Sequence, residues 1–455
     1  MSGFPPNLFA GRRYAVVGLG RAGLTSLRAL SAMGAAVTGW DDAPFAREAA
    51  AREGFAIEDP SAELRDLTAL VLSPGIAHTL PVPHRIAANA RAAGTPILTD
   101  AELLFQAVRA AGSRARFAGI TGTNGKSTTT ALLAHILRCA GVPYEAGANL
   151  GPAALSLSLL TDDGVYVLEM SSYMLERLAT LRFDAACMLN LSPDHLDRHG
   201  DMDGYAAAKR QIFARQTGND TAVIGIDDAF TAAMAAQYPR CVRISGHQHA
   251  DVWSDRFTLR DCLGTLAILR QARALPGVHN AQNAAAAAAM ALALGVGRAP
   301  IEDGIRTFPG LPHRQEMVGE MDGIHFINDS KATNADATAR ALQCYDKVVW
   351  IAGGIAKAGG IEPLAPYFSR VAEALLIGRD AAAFAATLAA HNVAHRVVET
   401  LDRAVPEARD AARSHDVATV LLSPACASFD QFSGFEARGT RFGELVHALA
   451  AAGAA

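Results

Sequence analysis

Apolar residues arrive along this chain in short bursts separated by polar and small residues. Between residues 14 and 110 the bursts "YAVVGL", "AAVTGW", "ALVLS" and "PILT" alternate with stretches of helical period. Short apolar runs alternating with amphipathic helices predict parallel strands joined by crossover helices. The polar segment "AAGSRAR" (Ala110–Arg116) reads as a linker. "FAGIT", "VYVLEM", "AACMLNLS" and "TAVIGI" then predict a second set of buried strands. Pro309 and Gly310 mark another break, before "LPHRQE", and "IHFIND", "KVVWIAGG", "EALLIG" and "TVLLSP" repeat the pattern. The expectation is an α/β protein of three domains in series, 1–112, 113–310 and 311–455. One run, "AAAAAAMALAL" from Ala284, is shorter than the roughly 18 residues that span a bilayer. It predicts a buried Ala-rich helix, with Asn283 and Gly295 placed like helix ends.

Composition narrows the class. The chain has 455 residues, 50% hydrophobic and 19% charged, enough apolar material for several cores. The formal net charge is −4, and lysines and arginines are scattered, which speaks against a nucleic-acid surface. Six cysteines stand far apart with no CxxC pair, which argues against a zinc knuckle and fits reduced thiols in a cytoplasm. The opening "MSGFPPNLFAGRR" lacks the basic-then-apolar order of a signal peptide.

Two glycine-rich turns carry the candidate chemistry. "VVGLGRAG" follows a strand and opens a helix, with Gly18, Gly20 and Gly23 in the spacing of a dinucleotide turn and Arg21 and Ala22 between them. Asp41 lies 18 residues beyond Gly23, where a ribose-binding acid would sit. Alone, this turn fits a nicotinamide dehydrogenase. "FAGITGTNGKSTTTALLAHIL" is the second. An apolar strand enters Gly122, Thr123, Asn124, Gly125, Lys126, Ser127 and Thr128, then an amphipathic helix with Leu132, Leu133, Ile136 and Leu137. Its glycines let backbone N–H groups approach phosphate, Lys126 would reach the β/γ-phosphates, and the Ser127 hydroxyl would sit on Mg²⁺. The strict loop has glycine where this chain has Ile120. Glu169, ending "VYVLE", is a hard oxygen ligand that suits Mg²⁺ together with Ser127. Taken by itself, Lys209 in "YAAAK" reads as an ordinary helix-surface lysine, and Asp197 and His199 read as local structure.

"GTNGKS" resembles the ATP loop of the Mur ligases, the amide-forming enzymes of peptidoglycan synthesis. The resemblance continues in the family's order through "LSPGI", "GANLG", "LEMSSYMLE", "NLSPDHLDRHG", "YAAAK", "GVHNAQN", "LPHRQE", "INDSKATN", "IAGG" and "LLSPACASFDQF". It implies a Rossmann-like first domain, a central P-loop-type ATPase domain and a Rossmann-like last domain. It also implies an ATP-dependent ligase that adds D-glutamate to UDP-N-acetylmuramoyl-L-alanine through an acyl phosphate. Such an enzyme is expected in the cytoplasm as a monomer, with neither nucleic acid nor membrane as partner.

The same resemblance implies roles for residues. Gly18, Gly20, Arg21, Ala22 and Gly23 would face the UDP diphosphate and Asp41 the uracil, with Ser73, Asn149 and Ser171 on the same substrate. Gly122 to Thr128, Asn280, Asn283, Arg314 and Asp329 would contact ATP. Ser127, Glu169, His195 and Lys209 would hold two Mg²⁺ ions, Lys209 as a carbamate formed with CO₂. Lys126, Glu169, His195 and Lys209 make the implied catalytic set, and Lys331, Thr333, Lys357, Ser428, Phe429 and Phe435 the glutamate pocket. Met174 stands where members often carry glutamine, which would cost an amide contact to the substrate. A dehydrogenase would leave "GTNGKS" and "DSKATN" idle, and a non-catalytic scaffold would not need the catalytic set. A related ligase using L-glutamate or a folate is the nearer alternative.

Overall fold

The computed structural model describes residues 3–255, 257–357 and 359–453, and these cluster into two compact units. The first comprises residues up to Arg273 together with Val278–Phe308; the second comprises Ala274–Gly277 and the chain from Pro309.

The first unit holds two sheets. Strands Arg13–Val17, Ala36–Trp40, Ala56–Ile57, Ala69–Leu72 and Ile97–Leu98 form a five-stranded parallel sheet in the order 3-2-1-4-5 by sequence. The order reverses between the first and fourth strands, where the glycine turn leaves Val17. Successive residues of the first strand face opposite sides, so Tyr14 and Val16 pack with Leu27 and Leu30 of helix Arg21–Ala32. Ala15 and Val17 pack with Ile86 and Ala90 of helix Arg85–Ala93.

The second sheet has nine strands. Seven are parallel, from Tyr144–Ala148 at one edge through Val165–Glu169, Arg116–Thr121, Ala185–Met188, Thr221–Gly225 and Val242–Ser245 to Val252–Ser254. Thr258–Asp261 and Gly264–Ile268 close the other edge antiparallel. The Ala-rich helix is present and packed against helix Lys126–Cys139, with Ala284–Ala289 buried. It starts at Val278, however, so Asn283 lies inside it and does not bound it. Alanine side chains let the two helices approach closely, and a polar amide can then reach the loop that precedes its neighbour. No helix among the described residues is long and apolar enough to cross a membrane.

One hydrophobic cluster runs from Tyr14 and Leu27 through Leu103 and Leu104 to Phe117, Tyr166 and Leu168, so both sheets of this unit share a core. Buried acids tie them as well. The Glu102 carboxylate accepts from the backbone N–H groups of Ala179, Thr180 and Leu181 and from the Thr180 hydroxyl. Asp100 accepts from Ala154 N–H at 3.0 Å, and burial pushes its carboxyl above the usual range.

The second unit is built on a six-stranded sheet. Glu316–Met321 lies antiparallel to Ile324–Asn328, and Thr419–Leu422, Val348–Gly353, Val371–Ile377 and His395–Glu399 follow in parallel. Alternation along Val348–Gly353 again divides two core faces, Trp350 on one side and Val349 and Ile351 on the other.

Candidate active site

Four parallel strands of the second sheet bring their carboxyl ends into line. Thr121 is level with Met188, Ile120 with Glu169, and Glu169 with Ala148. The residues that follow therefore share one edge: Gly122 of the phosphate loop, Asn190, and Asn149. Glu169, at its own strand end, is 2% exposed. Its Oε1 accepts from Asn149 Nδ2 at 2.6 Å, while its Oε2 is buried without a hydrogen-bond partner. A carboxylate oxygen in that state is costly unless a cation meets it.

The loop's shape depends on Gly122 and Gly125, both at positive φ (150° and 82°). Gly125 caps helix Lys126–Cys139, and a Cβ there would overlap the Asn283 side-chain oxygen, so the position requires glycine for space as well as for backbone. Asn283 in turn accepts from Thr129 Oγ1 at 3.3 Å and donates to Asn280 Oδ1 at 3.0 Å. Lys126 Nζ curls over the loop onto the carbonyls of Gly122 (2.9 Å) and Thr123 (2.8 Å), and the Ser127 side chain is buried at the helix start. Asn190 Oδ1 accepts from Asn124 N–H at 2.9 Å, and Tyr205 Oη lies 3.3 Å from Thr123 Oγ1.

Lys209 corrects the helix-surface reading: it is 2% exposed. Its Nζ donates to Gly122 O at 2.8 Å and Thr121 Oγ1 at 3.3 Å and lies 4.9 Å from the Tyr205 ring centre. Burial, and then the Lys126 charge, push its amine well below the ordinary lysine range. A neutral amine is what carbamate formation requires, so the site fits that modification. His195 is exposed, its ring 5.0 Å from that of Tyr173, and partial burial followed by Lys209 and other nearby cations lowers its pKa against the pull of Asp194. His199 is structural, as expected: its ring nitrogens bond Glu176 Oε1 (3.1 Å) and Ser172 Oγ (2.9 Å). Among the described residues no group of three His, Cys, Asp or Glu side chains could hold a metal. The donors present, an unpartnered carboxylate oxygen and a serine hydroxyl, fit a cation such as Mg²⁺ that keeps most of its waters.

The first glycine turn occupies the carboxyl edge of the five-stranded sheet. Gly18 (φ 91°) leaves no room for a side chain beside Ser73, whose Oγ donates to Gly18 O at 2.7 Å. Any Cβ on Gly23 would overlap the Gly18 carbonyl, so Gly23 closes the turn on itself. Gly20 faces open space, which leaves its backbone free to meet a ligand. Asp41 accepts from Leu19 N–H (2.7 Å) and Ala43 N–H (2.9 Å), which orients it at the turn. Arg21 donates to Gly151 O at 2.6 Å, and Ser171 Oγ caps helix Ser172–Leu175. Met174 is buried in the shared core.

The remaining candidates lie in the second unit. Asp329 is buried, accepts from Ser423 Oγ (2.8 Å) and Gln315 N–H (3.2 Å), and is pushed up to about 7 by burial. Arg314 precedes Gln315 in the same turn. Lys331 Nζ stands 3.8 Å over the Phe435 ring, Ser428 is buried, and Lys357 and Phe429 are exposed. Thr333 N–H bonds Lys331 O at 2.9 Å. Sequence reasoning passed over Arg438, which is 1% exposed and ties Ser330 to Cys426 O, and over Tyr205 and Asn190. Tyr205 is four residues before Lys209 on one helix face, a spacing open to reading in the sequence.

A glycine loop between strand and helix, beside an acid with one unpartnered oxygen and a buried lysine, defines a phosphate-loop α/β protein. Family models place it more closely: the Mur ligase middle domain matches residues 120–291 and the Mur ligase glutamate ligase domain residues 313–426. The chain belongs to the Mur ligase family. It is 48% identical to the UDP-N-acetylmuramoylalanine--D-glutamate ligase of Caulobacter vibrioides, over 99% of this chain and 98% of that one. It is 50% identical to the protein of the same name in Paramagnetospirillum magneticum, over 98% and 99%. Among solved structures, the fold is like that of UDP-N-acetylmuramate-alanine ligase from Thermotoga maritima, with a TM-score of 0.59, 19% identity, and 96% of this chain and 99% of that chain covered.

Proposed function

We propose that this chain is the ligase that joins D-glutamate to UDP-N-acetylmuramoyl-L-alanine with ATP, acting in the cytoplasm on a peptidoglycan precursor. The observation that carries the reading is full-length identity near one half to relatives of that name, supported by the buried Glu169 and Lys209 beside the Gly122–Ser127 loop. We read the chain as three domains, 1–112, 113–310 and 311–455, the first and last Rossmann-like.

The substrate's alanyl carboxylate attacks the γ-phosphorus of ATP. The bond from that phosphorus to the β,γ-bridging oxygen breaks, ADP leaves, and an acyl phosphate results. The glutamate amine then attacks the acyl carbon, loses a proton, and phosphate departs with the former carboxylate oxygen. Both partners of the first step are anions, so the loop amides and Lys126 gather positive charge where they meet. Glu169, Ser127, His195 and Lys209 as its carbamate would hold the Mg²⁺ ions, which supply charge neutralisation on the phosphates when bound. Asn280 and Asn283, and from the second unit Arg314 and Asp329, are proposed to contact ATP. Lys331, Thr333, Lys357, Ser428, Phe429 and Phe435 are proposed for glutamate, whose two carboxylates call for cations and hydroxyl or N–H donors.

Isotope transfer tests the route. With ¹⁸O in the alanyl carboxylate, one ¹⁸O should appear in the released phosphate for each amide formed. Phosphate free of ¹⁸O would exclude an acyl phosphate.

A further inference from the structure

Arg177 and Arg198 belong to none of the groups assigned above, yet between them they occupy five consecutive backbone carbonyls. Arg177 donates to Leu72 O (2.6 Å), Ser73 O (3.4 Å) and Pro74 O (3.4 Å). Arg198 donates to Gly75 O (3.1 Å) and Ile76 O (3.4 Å). The loop so held begins where strand Ala69–Leu72 ends, and its Ser73 hydroxyl is bonded to Gly18 O of the glycine turn. Both guanidinia also grip the second sheet's side. Arg177 Nε donates to Tyr173 O at 2.9 Å, and Arg198 lies 4.4 Å over the Tyr173 ring. That ring stacks on His199 (5.6 Å, 14°) and stands beside His195. Tyr173 follows the strand that ends at Glu169 by four residues, and Arg198 follows His195 by three.

Arg177 is 4% exposed, and it donates to the backbone carbonyl oxygens of Tyr173, Leu72, Ser73 and Pro74. Burial lowers its pKa to about 10, so it remains a cation at neutral pH. A buried charge of this kind is weak evidence for stability, since well-packed apolar replacements are often neutral or better. Its geometry suits another task, because a planar fork fixes the distance between two backbone segments better than apolar contact does.

We propose that Arg177 and Arg198 are positioning residues: they set the register between the turn that receives the sugar-nucleotide and the strand end carrying Glu169 with the helix start carrying His195. This rests on the ligase reading, in which a carboxylate anchored through its UDP end must meet the γ-phosphate in line. A displacement of about 1 Å in such an encounter costs on the order of 10²-fold in rate.

The test is the full-length enzyme with Arg177→Met or Arg198→Met, assayed for turnover with all three substrates, for UDP and ADP affinity by calorimetry, and for melting temperature. Each variant should lose about tenfold or more in kcat while its Kd for UDP and for ADP stays within about threefold of wild type. Should Arg177→Met not fold, Arg198→Met decides, because its side chain is only partly buried. A folded Arg198→Met with wild-type kcat overturns the inference. So does a kcat loss matched by equal weakening of both nucleotides and a lowered melting temperature, the pattern of general destabilisation. No turnover by wild type would overturn the ligase reading and this inference with it; full turnover by wild type and both variants overturns this inference alone.

Discussion

Lys209 shares a buried stripe with Tyr205 and Ala208 of its helix and with Ile212 and Phe213 of the turn that continues it. The spacing i, i+3, i+4, i+7 and i+8 is present in "YAAAKRQIF", so its burial was legible. Lysine is so commonly solvated that an apolar stripe with one lysine in it reads as a stripe with a gap. The consequence can be measured through stability. In the unfolded chain this amine titrates near its ordinary 10.5; in the folded one burial holds it lower. Between those two values the unfolded state binds more protons, so stability rises with pH across that window. The penalty for burying the charge is complete below the folded pKa and absent above 10.5. In CO₂-free buffer, Lys209→Met should therefore be more stable than wild type at neutral pH, with a gain that shrinks as pH climbs toward 10. A gain that is constant or grows with pH, followed by chemical denaturation, would contradict it. Asn283 was misread for a related reason. Asparagine favours helix ends, but here its amide fills the space that Gly125 leaves open, a contact between residues far apart in sequence.

The glycine turn and the phosphate loop are each a strand, a turn and a helix, and both were legible because φ above zero and close backbone approach leave few residue choices. What each glycine does was not legible, because spacing treats the three alike. Gly23 sits against the Gly18 carbonyl, whereas Gly20 has nothing within 4 Å of where a Cβ would be. The two should therefore separate fold from ligand. Gly23→Ala should open the turn and lower the stability of the first unit by roughly 1–3 kcal/mol. Gly20→Val should melt at the wild-type temperature but raise the KM for the sugar-nucleotide about tenfold or more, with the KM for ATP nearly unchanged. Thermal unfolding and steady-state kinetics on the two variants check this. A Gly20→Val enzyme that weakened ATP and kept the sugar-nucleotide would reverse the assignment of the two loops.

At the scale of the whole chain, all three strand-rich stretches expected from apolar bursts form sheets. Several strands escaped notice, among them Ala56–Ile57, Tyr144–Ala148, Val242–Ser245, Val252–Ser254, Thr258–Asp261, Gly264–Ile268, Glu316–Met321 and His395–Glu399, being short or rich in polar and small residues. The common core of the first two sheets was hidden by "AAGSRAR". That segment is polar in composition but tied down: Ser113 Oγ bonds Leu160 O, Arg109 bonds the carbonyls of Ser113 and Ala115, and Ala115 is fully buried. Hydrogen bonds to backbone let polar residues cross an interior, and composition does not register them. The proposed glutamate pocket rests on motif resemblance, because Lys357 and Phe429 are exposed side chains that spacing cannot aim.

The central claim is tested most directly by product formation from UDP-N-acetylmuramoyl-L-alanine, ATP and Mg²⁺ with D-glutamate or L-glutamate, followed by mass spectrometry, in wild type and Lys126→Ala. Wild type should form the amide with D-glutamate, release one phosphate per product, and leave L-glutamate essentially unreacted. Lys126→Ala should be slower by about 10²–10³-fold or more, as expected when a donor to developing charge is removed. Amide formation with L-glutamate in preference to D-glutamate, or near-normal turnover by folded Lys126→Ala, would contradict it.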